Sequence, residues 1–562
     1  MEDLAPAANP CLDYGVLWYV KFDCGSFAGV IMREFISALF LVLLTAAGAQ
    51  AKATDGGVCP RPAAGSVVER PADLYSSNNV LAVTLNYYTS IDDAGRTLFC
   101  FVTPEGQESP TLHVNPGDTL KVTLNNMIPA NKGGPAEIMF SKADSCADTT
   151  MTDTSVNLHF HGTNVSPKCG SDEVIHTLVN SGDSFQYTIK FPADEPPGLY
   201  WYHPHVHTLS ETALLGGASG VIEVEGIANL QPAVSGLPER ILVVRDQSVQ
   251  SNPVPGKGPQ PSWDISLNYV PVSYPQEKPA VIQMHAGQQE FWRVTNASAN
   301  TIADLQVKYD NKAQDLQVVA LDGVPTGSQD GKRQGTIVTE NDILLPPGGR
   351  AEFIVTAPSA EVAKAQFVTE AIDIGHSSAG DLDPKRVLAS IENVTAPLDL
   401  PKTQKRSGPP NKQRFENLAD AKVTNSRLLY FSQVGFSLFF ITVDGQDPKP
   451  FDPNNPPAIT TTRGAVEEWT IENRTPELHE FHIHQIHFLV TAVNGKKIRR
   501  NKQQFYDTYQ VPYWVGGGPY PSITAKLDFR GATVGDFVYH CHILKHEDRG
   551  MMAIIRVQKP AS

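Results

Sequence analysis

The sequence predicts an all-β protein of three consecutive antiparallel β-sandwich or barrel domains, and three observations carry that expectation. The first is length: 562 residues exceed what one hydrophobic core serves, and at roughly 150 residues per domain three or four domains follow. The second is turn content. Glycine and proline number 43 each with no collagen-like repeat, which favours many turns and short strands over long helices. The third is an internal repeat. PTLHVNPGDTLKVTLNN, PAVIQMHAGQQEFWRVTN and PAITTTRGAVEEWTIEN each open on proline, extend, turn at glycine, alternate and close on asparagine. The glycine-to-asparagine step is the same in all three: Gly117 to Asn126, Gly287 to Asn296 and Gly464 to Asn473.

The elements follow in chain order. Met32-Arg33-Glu34 precedes an apolar run, Phe35 to Ala47, and then small residues at signal-peptidase spacing. The run is short against the roughly 20 residues of a membrane span. It reads as a secretory signal of about 32–53, with the preceding residues a wrongly assigned start. The competing reading is a true N-terminal extension with a membrane anchor. Residues 1–57 are therefore set apart as upstream segment and signal. Three domains are expected at 58–226, 227–400 and 401–562, with linkers at 226–238 (GIANLQPAVSGLP) and 401–414 (PKTQKRSGPPNKQR). Short β-rich runs such as LKVTL (120–124), VIEV (221–224) and ILVV (241–244) are strand candidates, and no helical periodicity of similar strength appears.

Charge and cysteine usage narrow the class. A formal charge of −15 leaves no basic excess to neutralise phosphates, so a nucleic-acid partner is not expected. No further apolar run spans a bilayer, so the mature chain is expected free of the membrane, exported to a periplasmic or extracellular space, and monomeric. Cys59, Cys100, Cys146 and Cys169 are candidates for two disulfides in an exported protein, with three pairings open. Cys541 stands alone between two histidines.

The histidines carry the chemistry. Five H-x-H triplets occur: His159/His161, His203/His205, His205/His207, His482/His484 and His540/His542. Side chains alternate along a strand, so residues i and i+2 aim two imidazoles at one place. If His540 and His542 face one way, Cys541 faces the other. Cys541, His546 and Met551, with one histidine from His479-Glu-Phe-His482-Ile-His484, make a two-histidine, one-thiolate set with a weak axial thioether. That is the ligand set of a blue-copper electron-transfer centre.

The whole pattern resembles the multicopper oxidase family, on NLHFHG (157–162), WYHPH (201–205), HEFHIH (479–484) and HCHILKHEDRGMM (540–552). The resemblance implies three cupredoxin-like Greek-key domains and four copper ions per chain. It implies a type 1 copper on His479, Cys541 and His546 with Met551 axial, and a type 2 copper on His159 and His482. A type 3 pair would take His161, His203, His205, His484, His540 and His542. It further implies catalytic carboxylates that assist proton delivery to oxygen, Glu547 by motif position and Asp172 by a looser match. Two positions depart from the commonest family pattern: Glu480 stands where many members have proline, and Gln485 where many have glycine. His113, His176, His285 and His376 have the bland reading of core or surface residues, whereas His207 and His487 extend the clusters without being counted as ligands. Asn164, Asn296, Asn393 and Asn473 head N-x-S/T sequons.

The implied reaction couples one-electron oxidations to reduction of O2 to water. A laccase-like oxidation of phenols or aromatic amines is the expected donor chemistry, because the eight methionines are scattered rather than clustered. A metallo-oxidase for Cu(I) or Mn(II), or a bilirubin-type oxidase, is the alternative. A copper-binding protein without turnover ranks below both.

Overall fold

The three repeat copies become three equivalent strands, Thr119–Asn126, Gln289–Asn296 and Val466–Asn473. Each pairs in parallel with a long earlier strand: Val80–Ile91, Glu239–Ser248 and Asn425–Val434 respectively. Each also pairs antiparallel with a later one: Ser184–Lys190, Arg350–Thr356 and Ser522–Asp528. The closing asparagine has a physical reason in every copy. Asn126, Asn296 and Asn473 are fully buried. Each side-chain amide donates to two backbone carbonyls: Thr154 and Val179, Thr301 and Leu345, Glu477 and Val511. Each side-chain oxygen accepts the N–H two residues on, from Ile128, Ser298 and Thr475. The repeat therefore records a strand end at which one amide satisfies two carbonyls of neighbouring segments, since buried carbonyls need partners.

The computed structural model describes residues 57–130, 139–141, 145–249, 261–275, 278–328, 335–376, 382–405, 414–531 and 534–561. Its larger strands gather into three successive pairs of sheets of four and five, eight and six, and seven and five strands. Membership changes between Val224 and Glu239 and again between Asn393 and Asn425. Each pair encloses its own core, around Leu85, Leu120 and Ile222, around Leu242, Trp292 and Phe353, and around Trp469, Phe481 and Ile555. The strand candidates at 120–124, 221–224 and 241–244 all lie within observed strands.

Several expectations are sharpened or corrected. The open disulfide choice closes on Cys59–Cys100 and Cys146–Cys169, with Cα separations of 5.8 and 5.5 Å. The 226–238 segment is not a loose linker. It holds a short helix, Ile227–Leu230, and a 3₁₀ turn, Pro232–Val234. Ile227, Ala228 and Val234 are buried against Phe291 and Ile354. Three of the four sequons are closed to modification in the folded chain, because Asn164, Asn296 and Asn473 are buried. Among the described residues no helix is long and apolar enough to cross a membrane. The expected signal at 32–53 lies outside the described residues.

Candidate metal centre

Strand register delivers the histidines. His159–His161 pairs antiparallel with Gly198–His203, so that His203 faces His159 and Trp201 faces His161. His479–Ile483 pairs antiparallel with Gly535–Cys541, matching His482 to His540 and Phe481 to Cys541. The i, i+2 expectation holds in all four clusters carrying predicted ligands. Ring centroids are 5.4 Å apart for His159/His161, 5.8 Å for His203/His205, 5.1 Å for His482/His484 and 5.5 Å for His540/His542. The five-stranded sheets of the first and third pairs thereby meet across one buried set of eight imidazoles.

Within that set the nitrogen atoms sort themselves. His205 Nε2 and His484 Nε2 stand 3.3 and 3.2 Å from His540 Nε2. His542 Nε2 stands 3.3 Å from His161 Nδ1. Two nitrogens each ~2.0 Å from one tetrahedral ion lie about 3.3 Å apart, so these spacings are those of ligands sharing a metal. In three further rings the Nδ1 atom is occupied. His159 Nδ1 lies 3.0 Å from the Asp172 carboxylate, His203 Nδ1 donates to Pro204 O, and His482 Nδ1 donates to Asp507 O. Their Nε2 atoms are buried without a partner. Burial lowers the pKa of His161, His203, His205, His482, His484 and His542, and that of His540 to about 3. Neutral rings with free lone pairs are the form a metal binds.

Cys541 points the other way, as alternation predicts. Its Sγ lies 3.6 Å from His479 Nδ1 and 3.7 Å from His546 Nδ1, and the two Nδ1 atoms are 3.1 Å apart. Met551 is fully buried in the same hydrophobic core as Cys541, its backbone bonded to Cys541 N and His546 O. Phe439 stacks on the His546 ring at 4.3 Å, and Glu477 Oε2 lies 3.7 Å from His546 Nε2. Burial pushes the Cys541 thiol well up, and a bound soft cation reverses that by holding the thiolate.

Both predicted carboxylates reach the eight-histidine set. Glu547 is fully buried, 3.3 Å from His540 Nδ1 and 3.8 Å from His205 Nδ1. Burial, then neighbouring Asp548, pushes its carboxyl well above the usual range. Asp172 accepts from Phe160 N and from Gln485 Nε2 as well as lying against His159. The departure at Gln485 thus has a use: the residue keeps glycine's left-handed backbone, φ +67°, and adds an amide that holds Asp172.

Sequence reasoning missed Asp507, Asp322 and Arg350. Asp507 Oδ1 lies 3.1 Å from His161 Nε2, and both its oxygens accept from the Arg350 guanidinium. Asp322 accepts Asp507 N, Thr508 N and Arg350 N. A cavity of about 680 Å³ ends on Asp322, Arg350 and Thr508, whose hydroxyl is 3.1 Å from His482 Nδ1. No motif in the chain announces these residues, because they come from segments far apart in sequence: a turn at Asp322, the start of the strand Arg350–Thr356, and Asp507 between two short strands. His487 is buried and donates to Asp322 O, while His207 packs edge-on to Phe451 away from the cluster. His113 is a buried ion-pair partner of Asp73 and Glu225.

The chain is similar in sequence and fold to known proteins. Two sequence profiles described as multicopper oxidase match residues 149–228 and 420–561. The multicopper oxidase mco of Staphylococcus haemolyticus is 23% identical over 453 residues, 80% of this chain and 81% of that protein. The laccase of Bacillus subtilis is 23% identical over 505 residues, 80% of this chain and 88% of that protein. Among solved structures, a Campylobacter jejuni multicopper oxidase described as a metallo-oxidase superimposes with TM-score 0.62 at 20% identity, covering 89% of this chain and 96% of its own. The Aquifex aeolicus McoA multicopper oxidase gives 0.62 at 18% identity, covering 88% and 100%.

Proposed function

The chain belongs to the multicopper oxidase family, and on that premise we propose that it oxidises phenols or aromatic amines in a laccase-like reaction with O2 as acceptor. The observation that carries the oxidase reading is the fit of the buried donor atoms to two copper sites joined by one tripeptide. His479, Cys541 and His546, with Met551 beside them, would hold a type 1 copper. His159 and His482 would hold a type 2 copper, His161, His203 and His542 one type 3 ion, and His205, His484 and His540 the other. Bound there, copper supplies one-electron transfer at the thiolate site and four-electron reduction of dioxygen at the cluster.

The chain's own residues do the rest. His540-Cys541-His542 joins the two groups through covalent bonds, with no gap. Glu547, whose burial raises its affinity for a proton, stands beside His540 and His205 where a proton can be held for delivery, and Asp172 orients His159. The cavity at Thr508 supports access of small molecules to the His482 side.

The donor reading rests on the surface over His546. Phe439 covers the ring face-on, and the adjoining hairpin exposes Val434, Phe436 and Leu438. Such an apolar rim suits a flat aromatic donor better than a hydrated ion. Glu477 near His546 Nε2 favours a second reading, oxidation of a cation such as Cu(I) or Mn(II). Export to an oxidising compartment is part of the proposal, supported by the two disulfides.

Oxygen uptake by the copper-loaded protein with a phenol, bilirubin, Cu(I) and Mn(II) in turn tests both readings. Faster uptake with the phenol is expected. Uptake with Cu(I) or Mn(II) alone overturns the aromatic assignment, and no donor-dependent uptake overturns the oxidase. Cys541→Ser is expected to abolish the blue colour and turnover while the cluster keeps its copper.

A further inference from the structure

The second pair of sheets supplies no predicted copper ligand, yet it touches the eight-histidine set at the loop Pro346-Pro347-Gly348-Gly349, which leads into the strand Arg350–Thr356. A Cβ on Gly348 would lie 2.9 Å from two His542 ring atoms and 3.0 Å from His161 Cε1. Only hydrogen fits there, so this loop is a wall of the site. Arg350 follows, fully buried. Its guanidinium donates to a carbonyl of the first sheet pair (Leu199 O), to its own loop (Gly348 O) and to both oxygens of Asp507 in the third. One side chain therefore ties all three sheet pairs at the point where the imidazoles converge.

The consequence falls on His161. Its two ring nitrogens are chemically alternative: whichever carries the proton has no lone pair for a metal. Asp507 Oδ1 stands 3.1 Å from Nε2 and accepts the proton-bearing nitrogen, leaving Nδ1 free opposite His542 Nε2. A carboxylate left to itself could swing or rotate, but the two-pronged guanidinium fixes both oxygens. Gly162 shows how tightly the pair is seated. A Cβ there would come within 2.3 Å of Arg350 Nη2 and 2.5 Å of Asp507 Oδ2. The glycine that closes the HFHG motif is thus required by the Arg350–Asp507 pair, and by its own φ of +80°.

We infer that Arg350 is a positioning residue for the trinuclear cluster, acting through Asp507 to set His161 in the form that offers Nδ1 to copper. The inference rests on the reading of His161 as a ligand. It makes the middle part of the chain, silent in the motif pattern, a determinant of copper retention.

The test compares Arg350→Lys with Asp507→Asn in the copper-loaded full chain. Lysine keeps the charge but not the fork. Asparagine keeps the shape and an acceptor oxygen but loses the charge that the fork grips. The readouts are copper per chain after timed exposure to a chelator, the electron-paramagnetic signal of the cluster, and the blue thiolate band as an internal control of fold. Both variants are expected to keep the blue band and lose cluster copper about 10- to 100-fold more readily than the parent, with an altered cluster signal. Full retention with an unchanged signal overturns the inference. Parallel loss of blue band and cluster copper also overturns it, because Arg350 is then a fold residue only. If the parent itself takes up no copper at the cluster, the ligand reading fails first, and that result is distinct from either.

Discussion

At the residue scale, Glu480 shows how one substitution alters a site without replacing a ligand. Its backbone N–H donates to Cys541 Sγ at 3.4 Å. A proline, common at this position in the family, has no N–H to give. Hydrogen bonds to a copper-bound thiolate withdraw electron density and raise the reduction potential. Glu480→Pro is therefore expected to lower the type 1 potential, measured by redox titration of the blue band, while Glu480→Gln leaves it near the parent. Equal potentials for the two variants would remove the amide from the explanation. The side chain is a separate matter: it is fully buried, and burial, then Asp383, pushes its carboxyl pKa well up. The site histidines, Cys541 and Glu547 were legible as motif positions. Gln485, Asp507 and Arg350 were not, because each acts through a side-chain contact across more than a hundred residues.

At the scale of elements, the repeat and the ion pairs explain how strands are held in register. The Gly-to-Asn spacing was visible in sequence, but its cause, an amide satisfying two carbonyls of neighbouring segments, needed the fold. His113 plays a comparable part where three strands meet. It lies on Thr111–Val114 and bonds Asp73 on one neighbouring strand and Glu225 at the end of another, 2.9 Å each. Burial would lower its pKa, but Glu223, Asp73 and Glu225 raise it to about 10. A folded value above the unfolded ~6.5 means the protonated ring stabilises the native state fully below pH 6.5. That contribution fades as pH rises through 10. His113→Gln is expected to melt lower than the parent at pH 6 and to show a smaller fall between pH 6 and pH 10. A parent and variant with parallel pH profiles would exclude His113 as the source.

At the scale of the whole molecule, charged groups buried between sheet pairs hold the strands that bring the eight imidazoles together. Arg293, fully buried on Gln289–Asn296, pairs with Glu223 of the first sheet pair and with Glu352 of its own. Arg293→Met is expected to destabilise the chain by about 3–5 kcal/mol, because it strands buried carboxylates without their partner. Thermal unfolding of the apoprotein measures this, and a loss below ~1 kcal/mol would show the network to be dispensable. The sequence by itself determined the β-class, the threefold repeat and the H-x-H clusters, and its resemblance to the multicopper oxidases gave the reaction class. These are local properties: turn residues, period-2 alternation and H-x-H spacing act within a few residues of one strand. Only the tertiary structure decided the disulfide pairing, the sorting of eight imidazoles by their free nitrogens, the burial that raises the Glu547 pKa and the contacts made by the middle sheets. Those depend on which strands and loops meet, on how deeply the groups are buried, and on hydrogen bonds between segments that no short-range pattern connects.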